Sequence, residues 1–172
     1  IKHFGGRALN SLRLEKSWGS WAREYRPIYG PFEAGLDLFV DLKKNDFIGR
    51  DGALRERDEG PKRKLVTFTV DANDADVIGD EPVWHDGKVV GWITSGGYAH
   101  HVAKSVALGY VPAALASAKD GFEIEIIGER RKARYVLVDV ESLRQGIIVA
   151  SREVERYYND NIELFSTPEQ VR

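Results

Sequence analysis

The chain has 172 residues, of which 25 are Lys or Arg and 27 are Asp or Glu, so its net charge is −2 and it has no excess of basic residues for nucleic acid. It contains no cysteine, which excludes disulfide bonds, thiolate nucleophiles and cysteine-bound metals. No apolar run approaches the roughly 20 residues that a membrane-spanning helix needs. We therefore expect a soluble protein with one main domain and with neither nucleic acid nor a membrane as partner. Because the sequence begins without Met, in mid-pattern at Ile1 to Phe4, we also expect a piece of a longer protein.

The first predicted element is an amphipathic helix. Leu9 and Leu12 follow helical spacing, which predicts a helix from about Arg7 to Ser17, and Gly19 is a plausible terminator. Glu15 falls in the last turn of this helix.

Two further elements are expected before the middle of the chain. Pro31 predicts a short helix or turn over residues 31–36, followed by an extended run at 38–40. Residues 46–55 are expected to form a loop that leads into a second helix, with Asp51 as its N-cap.

From Lys64 the pattern changes to the period of two that is typical of β-strands. Val66, Phe68 and Val70 alternate with Leu65, Thr67 and Thr69, which predicts a strand. The Asp86-Gly87 pair predicts a tight hairpin between strands at 82–85 and 88–93. The remaining predicted features are a break at 94–98, a strand at 105–111, a turn at 112–115, and paired strands at 122–127 and 132–138 joined across 128–130.

After about Val138 the composition shifts, and residues 151–164 predict a charged helix that begins at Ser151. The fold class is therefore α+β: two or three short helices, then a small antiparallel β-barrel or sandwich, then a C-terminal helix. We divide the chain into an α+β region (1–62), an antiparallel β-barrel (63–138) and a helical appendage (139–172).

Few residues suggest chemistry by themselves. Glu15 is followed closely by Trp18 and Trp21, and a hydrogen-bond acceptor beside flat aromatic surface suits a planar, nitrogen-rich heterocycle. From composition alone, however, a helix-surface charge explains Glu15 more simply. The adjacent pair His100-His101 is a poor metal site because neighbouring side chains point apart, so we expect no metal. The stretch 94–97, Thr-Ser-Gly-Gly, fits either an anion-binding nest or a β-bulge, and the bulge is the commoner structure.

Four segments carry a family resemblance: Arg7 to Trp18, Pro31 to Leu36, Asp46 to Arg50, and Gly91 to Tyr98 continuing through Ala107 to Pro112. In order and spacing they resemble the second half of the folate-binding aminomethyltransferase fold. This fold forms the glycine-cleavage T-protein and the C-terminal part of dimethylglycine and sarcosine dehydrogenases. The likeness covers roughly residues 1–134, and the Glu-Lys-Ser-Trp sequence at 15–18 favours the dehydrogenase branch.

The resemblance implies specific roles in binding tetrahydrofolate. Glu15 would accept hydrogen bonds from the pterin ring, Trp21 would wall the folate pocket, and Glu24 lies at an acidic position of the same motif. Region 1–62 would then be part of the folate-binding region. The implied chemistry is capture of a one-carbon unit by N5 and N10 of tetrahydrofolate during demethylation of dimethylglycine or sarcosine.

The resemblance also implies what this chain lacks. The family's catalytic Asp belongs to the first half of the domain, so we expect no catalytic residue here and no turnover by the chain alone. Its expected partners are folate and the other half of its own domain, and the sequence leaves open whether a second copy of the chain pairs through an exposed sheet edge. The expected location is the bacterial cytoplasm, or the mitochondrial matrix in a eukaryote.

The C-terminal part carries a second, weaker resemblance. Residues 153–172 resemble the segment that precedes the parvulin domain in periplasmic peptidyl-prolyl isomerase chaperones, over a tail that starts near residue 135. The chain is then either a junction of two fragments or has a tail that matches by coincidence. A competing interpretation is a non-catalytic interaction module in which the 151–164 helix docks a partner through Val154, Tyr158 and Ile162.

Overall fold

A computed structural model of the chain describes residues 3–72, 75–126, 129–135, 156 and 159–160. The chain divides into two compact units, 1–137 and 138–172. In the described part, two helices precede a β-barrel, and two short 3₁₀ turns, at Asp37–Phe39 and Ala113–Leu115, interrupt the connections. The elements are α1 (Gly6–Glu15), α2 (Arg50–Glu59), β1 (Arg63–Val70), β2 (Pro82–His85), β3 (Lys88–Ala99), β4 (Lys104–Pro112), β5 (Phe122–Ile126) and β6 (Glu129–Tyr135).

The strands form a closed antiparallel barrel in the order β1-β4-β3-β2-β5-β6, and pairing of β6 with β1 completes the ring. The predicted α+β class is therefore confirmed. Of the two predicted β architectures, barrel and sandwich, the structure has the barrel. Closure gives each described strand a partner on both sides, so this part of the chain has no open sheet edge for a second copy to extend.

The core has two parts, one inside the barrel and one outside it. Val66, Phe68 and Val70 point inward from β1, as their alternation predicts, and the ring of Phe68 meets that of Phe122 edge-on at a centroid distance of 5.4 Å. Outside the barrel, Leu14 of α1 packs against a patch of β3 and β4 that consists of Ala99, Val106 and Leu108. This second contact fixes the position of α1 on the barrel.

The first helix forms as predicted, but its buried face and its end differ from the prediction. Leu14 is fully buried, whereas Leu9 and Leu12 are more than half exposed. The helix ends at Glu15 because Ser17 adopts a left-handed conformation (φ 56°) and the Trp18 N–H donates to the Arg13 carbonyl at 2.9 Å. This is a Schellman-type end in which serine takes the place of glycine.

Gly19, the expected terminator of α1, has a different role. A Cβ atom at this position would lie 2.6 Å from the ring of Tyr25, so glycine is needed here for close packing.

Two predictions for residues 31–60 were wrong in detail. The turn over 31–35 forms, but Asp37–Phe39 is a 3₁₀ turn and not part of an extended run. The second helix begins at Arg50 with Gly49 as its N-cap in a left-handed conformation (φ 90°). Asp51 therefore lies inside the first turn, where its negative charge favours the helix N-terminus without capping it.

The hairpin at Asp86-Gly87 is confirmed, with φ of 50° and 72° as a tight turn requires. The predicted break at 94–98 was wrong, because β3 continues to Ala99 through a β-bulge between Ile93 and Ser95. The last hairpin is tighter than predicted: Ile126 pairs with Glu129, so residues 129 and 130 belong to β6.

The predicted C-terminal helix lies outside the described residues, except that Arg156, Asn159 and Asp160 are helical. Its proposed docking residues also lie outside them, as does the rest of the segment 153–172 that resembles the chaperone tail. Within the described part, neither helix has the length and apolar content to cross a bilayer.

Candidate functional site

Glu15 is held at the junction of α1 with the turn between β3 and β4. It is half-buried, and its Oε1 accepts a hydrogen bond of 2.8 Å from the backbone N–H of His101. One helical turn earlier, the hydroxyl of Ser11 donates to the Tyr98 carbonyl at 3.1 Å and accepts from the His100 N–H at 3.4 Å. Residues 11 and 15, which share one face of the helix, thus clamp α1 to this turn.

The position of Glu15 is electrostatically unfavourable for the helix alone. A helix C-terminus carries partial negative charge, which disfavours a carboxylate there by a few tenths of a kcal/mol to about 1 kcal/mol. The His101 N–H occupies one oxygen, and no group in the described part of the chain donates to the other. Glu15 therefore offers one positioned acceptor.

Two large aromatic side chains follow Glu15, and both are exposed: Trp18 by 66% and Trp21 by 81%. The backbone between them is nevertheless fixed. The Trp18 carbonyl accepts from Arg13 at 3.1 Å, the Gly19 N–H donates to the Tyr25 hydroxyl at 3.1 Å, and the Ser20 N–H donates to Glu24 at 2.7 Å. We call residues 18–21 the aromatic loop. It presents apolar surface to solvent from a rigid support, as binding surfaces do.

Glu24 does not share this exposure, because its side chain is fully buried. Its Oε1 accepts from the hydroxyls of Thr94, at 2.7 Å, and Ser95, while its Oε2 accepts from the Ser20 N–H and from Arg13 at 3.3 Å. Contact between Glu24 and a ligand thus stays a prediction, and the geometry supplies no exposed atom for it.

The pKa of Glu24 reflects two opposing effects. Burial raises it, but the hydrogen bonds from Ser95, Thr94 and Ser20, together with the charge of Arg13, outweigh burial and hold the pKa below its usual range. Glu24 is therefore ionised near neutral pH.

The bulge in β3 explains how two adjacent side chains reach one oxygen. Neighbouring residues of a regular strand point to opposite faces. The irregular register between Ile93 and Ser95 breaks this alternation, and the hydroxyls of Thr94 and Ser95 both reach Glu24. Sequence reasoning recognised a possible bulge at this stretch but not its acceptor, 70 residues earlier.

Two cavities flank these elements. One, of about 420 Å³, lies between α1 and β3 and is lined in part by Asn10, Ser11, Tyr98 and His100, so it shares the residues that clamp the end of α1. A larger one, of about 680 Å³, lies between α2 and residues 27–33. Neither cavity is lined by Glu15, Trp21 or Glu24, the three predicted folate-binding residues, and we place the candidate site at Glu15 and the aromatic loop on chemical grounds.

The basic residues at the start of β1 have structural roles. Arg63 pairs with Glu33 at 3.3 Å and lies over the ring of Trp92 at 5.5 Å, and Lys64 donates to the Phe32 carbonyl at 2.9 Å. The His, Asp and Glu residues of the described part form no cluster of three that could hold a metal ion.

Comparison with known proteins gives consistent matches. Residues 63–138 match the family model of the glycine cleavage T-protein C-terminal barrel domain. Mitochondrial dimethylglycine dehydrogenase from Mus musculus is 43% identical over 137 residues, which is 79% of this chain and 16% of that protein. Aminomethyltransferase from Symbiobacterium thermophilum is 38% identical over 130 residues, 75% of this chain and 34% of that protein.

Among solved structures, the crystal structure of glycine cleavage system aminomethyltransferase T from Bartonella henselae matches with a TM-score of 0.70 and 25% identity. It covers 76% of this chain and 37% of that chain. The chain thus spans a sixth to a little over a third of the relatives that it matches.

Proposed function

On the premise that residues 63–138 are a glycine cleavage T-protein C-terminal barrel domain, we propose that this chain binds tetrahydrofolate. The domain is homologous to the C-terminal regions of aminomethyltransferases and of dimethylglycine and sarcosine dehydrogenases. The observation that carries the proposal is Glu15, a positioned acceptor with one oxygen that receives no hydrogen bond from the described residues, followed in sequence by the exposed Trp18 and Trp21.

An acceptor together with exposed aromatic surface fits a pterin ring. A pterin presents its amino group and ring N–H groups along one edge, and a carboxylate oxygen accepts such groups with a charge-assisted bond. Its two flat faces are apolar and polarisable, which suits contact with an indole. In our proposal Glu15 anchors the edge of the ring and Trp21 walls one face.

We propose that the reaction served is one-carbon transfer in the demethylation of dimethylglycine or sarcosine. Tetrahydrofolate, when bound, supplies N5 and N10, which capture the one-carbon unit. The residues of this chain hold and orient the ring. Since the resemblance assigns the catalytic Asp to a preceding half-domain, we expect the chain alone to bind folate without turning over an amine.

The exposed face of α1 supports a place for that half-domain. Leu9 and Leu12 are more than half exposed, and Phe4 just before the helix is 66% exposed. Because these three side chains are already partly buried, covering what remains exposed would contribute about 1–2 kcal/mol each. We propose that the preceding half of the same domain covers this face.

The test is a titration of the chain with tetrahydrofolate, under nitrogen, followed by tryptophan fluorescence and calorimetry. We expect saturable binding, and we expect Glu15→Gln to weaken it by about 10- to 100-fold, because a hydrogen bond to a charged group contributes about 1.5–3 kcal/mol.

Glu59→Gln is the matched control, since Glu59 is likewise the last residue of a helix but is exposed and belongs to α2. It should leave the affinity unchanged. No saturable signal at millimolar ligand, or equal affinity for the wild-type protein and Glu15→Gln, would contradict the proposal.

A further inference from the structure

The backbone of the aromatic loop is held in place although both of its indoles are exposed. On an unsupported loop, two exposed indoles would move with the backbone. A ligand that bound to them would then have to immobilise both side chains, which costs free energy. Here the backbone of Trp18, Gly19 and Ser20 forms one hydrogen bond per residue with a nearby side chain. Something fixes this loop before any ligand arrives.

Two of these three hydrogen bonds converge on Glu24, and the third, from the Gly19 N–H, goes to the adjacent Tyr25. The Oε2 of Glu24 receives the Ser20 N–H directly, and Arg13 bridges the same oxygen to the Trp18 carbonyl, with distances of 3.3 and 3.1 Å. Its Oε1 is anchored to the bulge of β3 by Thr94 and Ser95. One carboxylate thus connects α1, the aromatic loop and the barrel.

The same residue is also tied through its backbone. The buried hydroxyl of Tyr110 on β4 donates to the Glu24 carbonyl at 2.9 Å. Both the main chain and the side chain of Glu24 are therefore fixed to the barrel wall, on adjacent strands β3 and β4.

Stability alone is a poor reason for such an arrangement. Burying a carboxylate costs several kcal/mol, and buried ion pairs are often no more stabilising than apolar residues of the same shape. Preorganisation of a binding surface is a use that repays the cost, because a wall that is already ordered loses less entropy when a ligand docks.

We infer that Glu24 is a positioning residue that holds Trp18 and Trp21 ready to receive a planar heterocycle, and that it acts through the loop without touching the ligand. The inference deepens the role proposed for the site and rests on it only for the identity of the ligand. It differs from the role that the family resemblance implies for Glu24, which is direct contact with the cofactor.

The test uses three variants and two readouts. Glu24→Gln removes the charge, and Thr94→Val removes one donor to Oε1 while it keeps the shape of the side chain. Ser105→Ala is the control, since it deletes a buried hydroxyl that has no partner in the described part, on a residue that pairs with Val70 and Tyr98 and not with the bulge at Thr94 and Ser95. The readouts are the affinity for tetrahydrofolate and the indole N–H resonances of the ligand-free protein.

We expect Glu24→Gln to lower the affinity for tetrahydrofolate by about tenfold, because the ligand would then have to immobilise Trp18 and Trp21 itself. The loss should be smaller for Thr94→Val, and Ser105→Ala should cause none. The indole signals of Trp18 and Trp21 should shift or broaden in the first two variants, while those of Trp84 and Trp92 stay in place. A residue that only stabilises the fold would lower the midpoint of unfolding and leave the affinity and indole signals of the folded protein unchanged.

The outcomes separate the two claims. If the wild-type chain binds no folate, the proposed function fails, and the indole signals alone still decide whether Glu24 orders the loop. If the wild-type chain binds and both Glu24→Gln and Thr94→Val bind equally well with unmoved indole signals, the inference is overturned. Should Glu24→Gln not fold, Thr94→Val and Ser95→Ala carry the test by the same readouts.

Discussion

Replacing Tyr110 by Phe removes a single buried oxygen from the barrel wall, and the structure allows its cost to be worked out. The hydroxyl donates to the Glu24 carbonyl at 2.9 Å. The ring stacks on Tyr29 at a centroid distance of 3.9 Å and would stay in place, so no large cavity opens. The loss is then one hydrogen bond plus a buried carbonyl without a donor, which amounts to about 1–3 kcal/mol.

The measurement is urea unfolding followed by far-ultraviolet circular dichroism. Tyr98→Phe is the control, because Tyr98 is 43% exposed and its replacement should change the free energy of unfolding by less than about 0.5 kcal/mol. Equal stability of Tyr110→Phe and the wild-type protein would refute the assignment of a structural hydrogen bond to this hydroxyl.

The same variant has a predictable pH dependence. Burial raises the pKa of Tyr110, with smaller contributions from Tyr29, Glu33 and Glu24, above the value of about 10 that tyrosine has in unfolded chains. Because the folded state favours the neutral phenol, its stabilising contribution is complete below about pH 10 and is lost as the pH rises further. The difference between the wild-type protein and Tyr110→Phe should therefore narrow above pH 10, and a constant difference up to pH 11 would contradict this reasoning.

Three further predictions concern stability. Gly96→Ala should lower the free energy of unfolding by about 1–3 kcal/mol, because its Cβ would lie 2.5 Å from the Val77 carbonyl oxygen, and an unchanged urea midpoint would count against this close packing. Gly52→Ala in α2 should instead raise it by about 0.5–1 kcal/mol, since nothing lies within 4 Å of that Cβ and alanine favours the helix; a loss of stability would show that the site is not open. Hydrogen bonds from Ser95, Thr94 and Ser20 and the charge of Arg13 lower the pKa of Glu24, so its contribution to stability is complete above the value of about 4.3 for unfolded chains and declines as the pH falls. The difference in stability between the wild-type protein and Glu24→Gln should therefore shrink on acidification, and a difference that grows toward pH 3 would contradict these stabilising contacts.

Local patterns in the sequence were sufficient to predict most of the fold. The alternation at Val66, Phe68 and Val70 set the inward face of β1, and Asp86-Gly87 set the hairpin. Each depends on neighbouring residues alone, which is why single-sequence reasoning reached it. The β-bulge expected at 94–97 is present, but the extra length of β3 was missed because this stretch breaks the alternation of a strand, and only pairing with β4 keeps it in the sheet.

The candidate site was only partly predictable. Glu15 and Trp21 were selected by the family resemblance, and the exposure of Trp21 agrees with an open surface. The burial of Glu24 could not be foreseen, because its partners Thr94 and Ser95 lie 70 and 71 residues away and reach it through a bulge. Contacts at such separation depend on the barrel, which no local pattern records.

The central claim, that this chain holds a pterin between Glu15 and the aromatic loop, is tested most directly by the four indole N–H signals of the chain during a folate titration. Trp18 and Trp21 lie on the exposed loop, whereas Trp84 and Trp92 lie on barrel strands and their indole N–H groups donate to Glu125 and Tyr29. We predict saturable shifts of the Trp18 and Trp21 signals that Glu15→Gln weakens, with the other two unmoved. Shifts confined to Trp84 and Trp92, or no shift at millimolar tetrahydrofolate, would contradict the account.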